Sequence, residues 1–230
     1  MGRTGRDLKG RGLMKTSLRI VAGTLRGRKI DCDVNPDLRP TSQRAREALF
    51  SILGGYLNGF RFVDVFAGTG VIGMEALSRG ATRCLFVEKD ARLISNIEKH
   101  LARFGVGLRS DILKVDAYRW AEQFLAPQEP TLIFISPPFP DFEARPDDLH
   151  KLVENLTKVL VPGSMLVLQA EEHDNLPRVA VGDDWDMRKY GRNQLWIRRI
   201  PGLEEDEPTD DESATGEAPV DETARDTEEN

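Results

Sequence analysis

The stretch "VDVFAGTGVIGMEAL", residues 63–77, joins a short apolar strand to a helix-forming run through three glycines. Gly68-Thr69-Gly70-Val71-Ile72-Gly73 spells G-x-G-x-x-G, a turn that brings backbone amides at a helix N-terminus close to a ligand. A tight glycine turn that serves packing alone is the plainer reading. The strand–loop–helix context favours a cofactor loop.

Outward from this loop the chain alternates. Arg61–Phe66 is expected to be a strand, Val71–Arg79 a helix, Arg83–Val87 a strand and Ala91–Phe104 a helix. A third strand is expected near Ile112–Val115, a short helix to about Leu125, and a fourth strand over Thr131–Ile135. A helix around Leu149–Leu160 leads to "SMLVLQA" as a fifth strand, and "WDMRKYG" with "QLWIRR" reads as a closing hairpin. Strands alternating with helices make a doubly wound α/β fold, with a mostly parallel sheet covered on both faces and the hairpin as an antiparallel edge. Before this body, residues 18–31 read as a hairpin turning at Gly23-Thr24. In "RPTSQRAREALFSIL", Thr41 or Ser42 caps a helix whose Ala45, Leu49, Ile52 and Leu53 recur at helical spacing.

Three acids decide which cofactor the loop suits. Asp64 ends the first strand four residues before Gly68, where a dinucleotide's pyrophosphate would lie, and like charges there cost on the order of several kcal/mol. S-adenosylmethionine has no phosphate and carries two cationic groups. Asp64 can complement them directly or through water, Glu88 can accept both ribose hydroxyls, and Asp116 can accept from the adenine amine. Asp116 taken alone reads equally well as a helix N-cap.

Charge is segregated along the 230 residues. The net charge of −6 hides thirteen acids and one Arg in residues 201–230, and nine Lys/Arg against Asp7 alone in residues 1–30. A basic arm on a nearly neutral body suggests a polyanionic partner, a solvated basic terminus being the plainer alternative. The tail lacks the large apolar residues needed to offset its ordering entropy and is expected to be disordered. Cys32 and Cys84 fit no metal or disulfide spacing, and His100, His150 and His173 cluster with no other ligands. No membrane span or signal peptide is legible, so a cytoplasmic monomer without a metal is expected. The expected organisation is a basic disordered segment over 1–17, an RNA-facing hairpin and helix over 18–58, a catalytic domain over 59–200 and the acidic tail over 201–230.

"RIVAGTLRGRKI", "LRPTSQRAREALF", "VDVFAGTGVIGMEALSRGA", "FVEKD", "SPPF" and "KYG" occur in an order that resembles the RsmD-type methyltransferases. The resemblance spans roughly residues 18–200, and the "RGRKI" and "RPTSQRAREALF" pair is its most specific part. It implies a Rossmann-like class I fold with seven strands. The activity it implies is S-adenosylmethionine-dependent methylation of the exocyclic N2 of a guanine in bacterial small-subunit (16S) ribosomal RNA, free or in the 30S particle. Cofactor binding is thereby assigned to Asp64, Phe66, Ala67, Gly68, Thr69, Gly70, Glu88, Lys89, Asp116 and Ala117. RNA contact is assigned to Arg26, Arg28, Lys29, Arg39, Arg44 and Arg46, and catalysis to Ser136, Pro137, Pro138 and Phe139.

The family usually has Asp-Pro-Pro-Phe or -Tyr where this chain has Ser136. A strand that ends on Ser136-Pro137-Pro138-Phe139 is stopped hard, because each proline lacks an N–H and fixes φ. At the switch point this rigid corner holds acceptors, the residue-136 side chain and the Pro137 carbonyl, in place before an amine arrives. Phe139 offers a face for a flipped or single-stranded base. Simple packing of Phe139, and local backbone capping by Ser136, are the plainer readings. A hydroxyl in place of a carboxylate implies a working but slowed enzyme. Alternatives are a DNA cytosine-N4 amino-methyltransferase, a NAD-dependent reductase, disfavoured by Asp64, and an RNA-binding or assembly protein that has lost turnover.

Overall fold

The computed structural model describes residues 13–34, 40–125, 127–172, 179–180 and 184–202. Most of the acidic tail, the segment 1–12, Arg39 and His173 lie outside the described residues.

The described residues open with a two-stranded antiparallel sheet, β1 (Met14–Arg19) and β2 (Lys29–Val34). Pairing therefore starts at Met14, inside the segment expected to be disordered up to residue 17. A polar, exposed strand escapes a hydrophobic-pattern reading because its partner, not its own burial, holds it. Helix α1 (Gln43–Ile52) follows, and Ser42 caps it by accepting from the Ala45 amide.

The body is a seven-stranded sheet in the order β5-β4-β3-β6-β7-β9-β8. These strands are β3 (Arg61–Val65), β4 (Arg83–Glu88), β5 (Ser110–Lys114), β6 (Thr131–Ile135), β7 (Met165–Glu171), β8 (Asp186–Tyr190) and β9 (Asn193–Arg199). The first five run parallel and the last two form the antiparallel edge. Connecting helices are α2 (Val71–Ser78), α3 (Ala91–Phe104), α4 (Ala117–Ala121), α5 (Asp141–Ala144) and α6 (Pro146–Val159). The one-turn α5 has no counterpart in the sequence expectation, because four residues are too few to show a helical period.

Strand pleating splits the core into two layers. Phe62, Phe134 and Val167 face α1, α2 and α3 with Leu49, Phe50, Met74 and Ile97. Val63, Val65, Ile133, Ile135, Leu166 and Leu168 face α4 and α6 with Leu149, Leu152 and Leu156. Asp64 alternates with Val63 and Val65, so it points to the first layer. The chain leaves β3 toward β4 and β5, then returns on the other side as β6. The crevice between β3 and β6 is the topological switch point, and both the glycine loop and the proline corner leave strands there.

The N-terminal hairpin is fastened to this body. The Ser78 carbonyl at the end of α2 accepts from the Thr24 amide at 2.8 Å. The Ser78 hydroxyl accepts from the Leu25 amide at 2.9 Å and donates to the Ala22 carbonyl at 2.5 Å. A Cβ on Gly23 would sit 1.9 Å from the Ser78 carbonyl oxygen, so glycine is needed for this close approach. Along α3, Leu93 packs on Cys32 and Val34, Asn96 donates to the Cys32 sulfur at 3.3 Å, and His100 Nε2 lies 2.8 Å from the Asp31 carbonyl oxygen. Arg103 completes the stripe on the Lys29 carbonyl. Residues 93, 96, 100 and 103 share one helix face, which receives the whole of β2.

Candidate active site

At the carboxyl ends of β3 and β6 a cavity of about 370 Å³ opens, lined by Pro40, Thr41, Asp64, residues 66–69, residues 87–90, Leu93, Val115, Ala117 and residues 136–139, among others. Most residues expected at a cofactor site thus converge from three separate strand ends. Phe66 enters the loop with φ +63°, a positive value that bulky side chains rarely adopt, and its ring meets Tyr118 edge-on at 5.5 Å. Such strain persists where the surroundings over-determine it, typically at functional sites.

Asp64 departs from the expected picture. It lines the cavity, yet it is only 1% exposed, and its Oδ2 accepts from the Gly73 amide at 2.9 Å. Gly70 caps α2 but has no side chain, so Asp64 supplies from β3 the acceptor that the third helical amide lacks. Burial pushes this carboxyl up to about 8; the Gly73 amide pulls it down and the Glu88 charge adds to the rise. The helix N-terminus that would hold a pyrophosphate is already faced by a carboxyl group from within the fold.

Glu88 holds the loop from the other side. Its Oε2 accepts from the Gly68 amide at 2.8 Å, while Oε1 accepts from the Lys89 and Asp90 amides at 2.8 and 2.9 Å. A carboxylate has about four lone-pair positions, so capacity remains for a hydroxyl donor. Gly73 permits close helix–sheet contact: a Cβ there would lie 2.3 Å from Phe86 Cε1 and 2.7 Å from Cys84 Sγ.

Asp116 takes the N-cap role. Its Oδ1 accepts from the Tyr118 amide at 3.1 Å, and Lys89 Nζ approaches Oδ2 at 3.5 Å. It lines a neighbouring polar cleft of about 460 Å³, with Arg119, Arg145 and Lys151, rather than the crevice itself. Its neighbours Val115 and Ala117 line the crevice.

The proline corner sits as its position in the sheet requires. The Ser136 amide donates to the Val65 carbonyl at 3.2 Å, extending the β3–β6 ladder one residue before Pro137 ends it. Pro137 is buried, Pro138 exposed and Phe139 half-buried. The Pro138 and Phe139 carbonyls accept from the Asp141 and Phe142 amides, folding the corner into α5. The Ser136 hydroxyl donates to Gln169 Oε1 at 3.4 Å.

The basic residues separate into two kinds. Arg26, Arg28, Lys29 and Arg44 are exposed. Arg46, expected to meet RNA, is 1% exposed and belongs to the core. Its Nη1 donates to the Thr41 carbonyl at 2.8 Å, its Nη2 to the Arg19 carbonyl at 2.9 Å, and its Nε faces Glu75 Oε2 at 3.5 Å. Glu75 is fully buried and also binds Arg79 at 2.9 Å. Burial pulls the Arg46 guanidinium below its ordinary pKa, and the Glu75 charge opposes that shift. Arg46 falls on the inward stripe of α1 with Ala45, Leu49 and Phe50.

Two crevice-related residues escape the sequence reading. Thr41 reads there only as a helix cap, and Gln169 is hidden within a strand. A lone amide in the apolar run Leu166-Val167-Leu168-Gln169-Ala170 is the one signal for the latter.

A family model described as "Conserved hypothetical protein 95" matches residues 18–199. Ribosomal RNA small subunit methyltransferase D of Escherichia coli is 30% identical over 172 residues, covering 75% of this chain and 83% of that protein. Among solved structures, yhhF of Escherichia coli superposes with a TM-score of 0.66 at 26% identity, over 82% of this chain and 100% of that one. The 16S rRNA N2 methyltransferase RsmC of Thermus thermophilus, solved with AdoMet and guanosine, has a TM-score of 0.62 at 17% identity, over 83% of this chain and 51% of that one, a likeness of fold alone.

Proposed function

The chain belongs to the RsmD-type family of methyltransferases, and on that premise we propose that it transfers a methyl group from S-adenosylmethionine to the exocyclic N2 of a guanine in small-subunit ribosomal RNA. The observation that carries this reading is the convergence at one switch point of a latched glycine loop, an acid under its helix and a proline-stiffened acceptor corner.

In this reading Glu88 accepts from one ribose hydroxyl with the lone pair its three amide bonds leave, rather than from both, and residues 66–70 with Lys89 and Ala117 wall the cofactor. Asp116 caps α4 beside the adenine end. Asp64 provides negative charge for the cofactor's cationic end once ionised. The Ser136 hydroxyl and the Pro137 carbonyl accept from the base N–H groups, while Phe139 stacks on the base. When bound, S-adenosylmethionine would supply a methyl carbon open to the N2 lone pair, the electron pair of its carbon–sulfur bond passing to sulfur. S-adenosylhomocysteine leaves as a neutral thioether. The nitrogen, cationic after transfer, loses a proton to water. A neutral thioether is already a good leaving group, so this chemistry calls for no metal. Arg26, Arg28, Lys29 and Arg44 contact phosphates along the N-terminal hairpin and α1, residues 59–200 act as the catalytic domain, and the RNA is taken free or within the small subunit.

The test is direct. Purified protein, small-subunit RNA or particles, and methyl-labelled S-adenosylmethionine are incubated, and the digested RNA is analysed by mass spectrometry. N2-methylguanosine at one position is expected. Label absent from guanine, or on cytosine in DNA, overturns the proposal.

A further inference from the structure

We infer that Gln169 is a positioning residue for methyl transfer, holding the Ser136 and Thr41 hydroxyls as pure hydrogen-bond acceptors; this rests on the amine-methylation reading above. Gln169 is 1% exposed in the interior of β7. Burying a carboxamide unpaired costs roughly 1–3 kcal/mol, so its partners matter. Its Oε1 accepts from Thr41 Oγ1 at 2.8 Å and from Ser136 Oγ at 3.4 Å, and its Nε2 donates to Asn193 Oδ1 at 2.9 Å.

Sheet register builds this arrangement. Ile135 pairs with Leu168 in parallel strands, so the next residues, Ser136 and Gln169, lie side by side at the carboxyl end. Both alternate onto the layer that holds α1, where Thr41 enters. Arg46 fixes the Thr41 backbone by donating to its carbonyl at 2.8 Å. Thr41 and Ser136 line the crevice and Gln169 stands behind them.

The chemistry follows from proton counting. A hydroxyl has one O–H and two acceptor lone pairs. Gln169 Oε1 only accepts, so each hydroxyl spends its proton there and turns lone pairs toward the crevice. An exocyclic amine brings N–H donors and must keep its own lone pair for the methyl carbon. A freely rotating Ser136 hydroxyl could donate to that lone pair and block attack. Gln169 removes this unproductive orientation, and the resulting acceptor pair repels a base carbonyl oxygen in the same place. The 3.4 Å separation is long, as catalytic hydrogen bonds often are before substrate arrives.

Single-turnover methylation of the native RNA, with cofactor affinity measured in parallel, tests the inference. Gln169→Met, similar in volume, should slow transfer by about tenfold or more while changing cofactor affinity by less than about twofold. Gln169→Glu, still an acceptor for both hydroxyls once the Asn193 carboxamide turns its NH2 toward the new carboxylate, should recover most of that loss. In a Ser136→Ala, Thr41→Val background, Gln169→Met should cost less than about twofold further, because the groups it acts through are gone. If its cost is undiminished in that background, or Gln169→Glu is as slow as Gln169→Met, Gln169 supports structure only and the inference falls while the methyl-transfer reading stands. Wild-type protein that leaves guanine N2 unmethylated takes both down.

Discussion

Replacing Arg46 by Met separates an architectural arginine from an RNA-binding one. The guanidinium bonds two backbone carbonyls at 2.8 and 2.9 Å and faces the fully buried Glu75 at 3.5 Å. Removing one partner of a buried pair costs about 3–5 kcal/mol, because the other charge stays desolvated. Arg79 still reaches Glu75 at 2.9 Å, which places this variant at the low end of that range. A loss of about 3 kcal/mol corresponds to a fall in Tm of about 6–12 °C for a chain this size. Urea unfolding followed by tryptophan fluorescence measures it, and adding Glu75→Gln should deepen the loss, because Arg79 then loses its carboxylate partner. RNA binding by the folded fraction should keep its salt dependence. By contrast, Arg26→Ala with Arg28→Ala should leave stability nearly unchanged and flatten the slope of log K against log salt by about 0.7 for each phosphate no longer neutralised. An unchanged urea midpoint with a flattened salt slope in Arg46→Met would refute the buried assignment.

Other outcomes follow from the site. The folded protein holds the Asp64 proton up to about 8, whereas an unfolded Asp releases it near 3.8. The native state therefore binds more protons between these values, and stability of the cofactor-free protein should fall as pH rises through that window. Urea midpoints at several pH values should show that component in wild type and not in Asp64→Asn; parallel curves would refute it. Gly73→Ala forces a methyl against Phe86 and Cys84 and should cost about 1–3 kcal/mol, read by denaturation, with weaker cofactor binding as α2 lifts. Ser136→Asp, expected on charge alone to be faster than wild type, should be slower, because its carboxylate would oppose the Gln169 carbonyl oxygen. A faster single-turnover rate would show that the added charge outweighs that clash. Phe139→Ala should raise the RNA concentration needed for half-maximal rate, in keeping with lost stacking; an unchanged value would leave Phe139 as packing.

What the sequence determined by itself is whatever neighbouring residues encode locally. Strand alternation, helical spacing in Ala91–Phe104 and the glycines at 68, 70 and 73 act within a few residues, so the α/β order and the glycine turn between β3 and α2 were legible in one dimension. The proline corner was legible too, since proline stops a ladder wherever it sits. Only the tertiary structure decided which way certain polar side chains serve. Arg46 resembles a surface arginine until Glu75, twenty-nine residues later, is folded beneath it. Asp64 reads as a ligand-facing acid until α2 starts above it and takes its carboxyl as a cap. Gln169 acquires a role only when β6 and β7 align and put it beside Ser136, thirty-three residues away. A buried polar group takes its role from the partner it is given, and partners distant in sequence are assigned by register and packing rather than by local pattern.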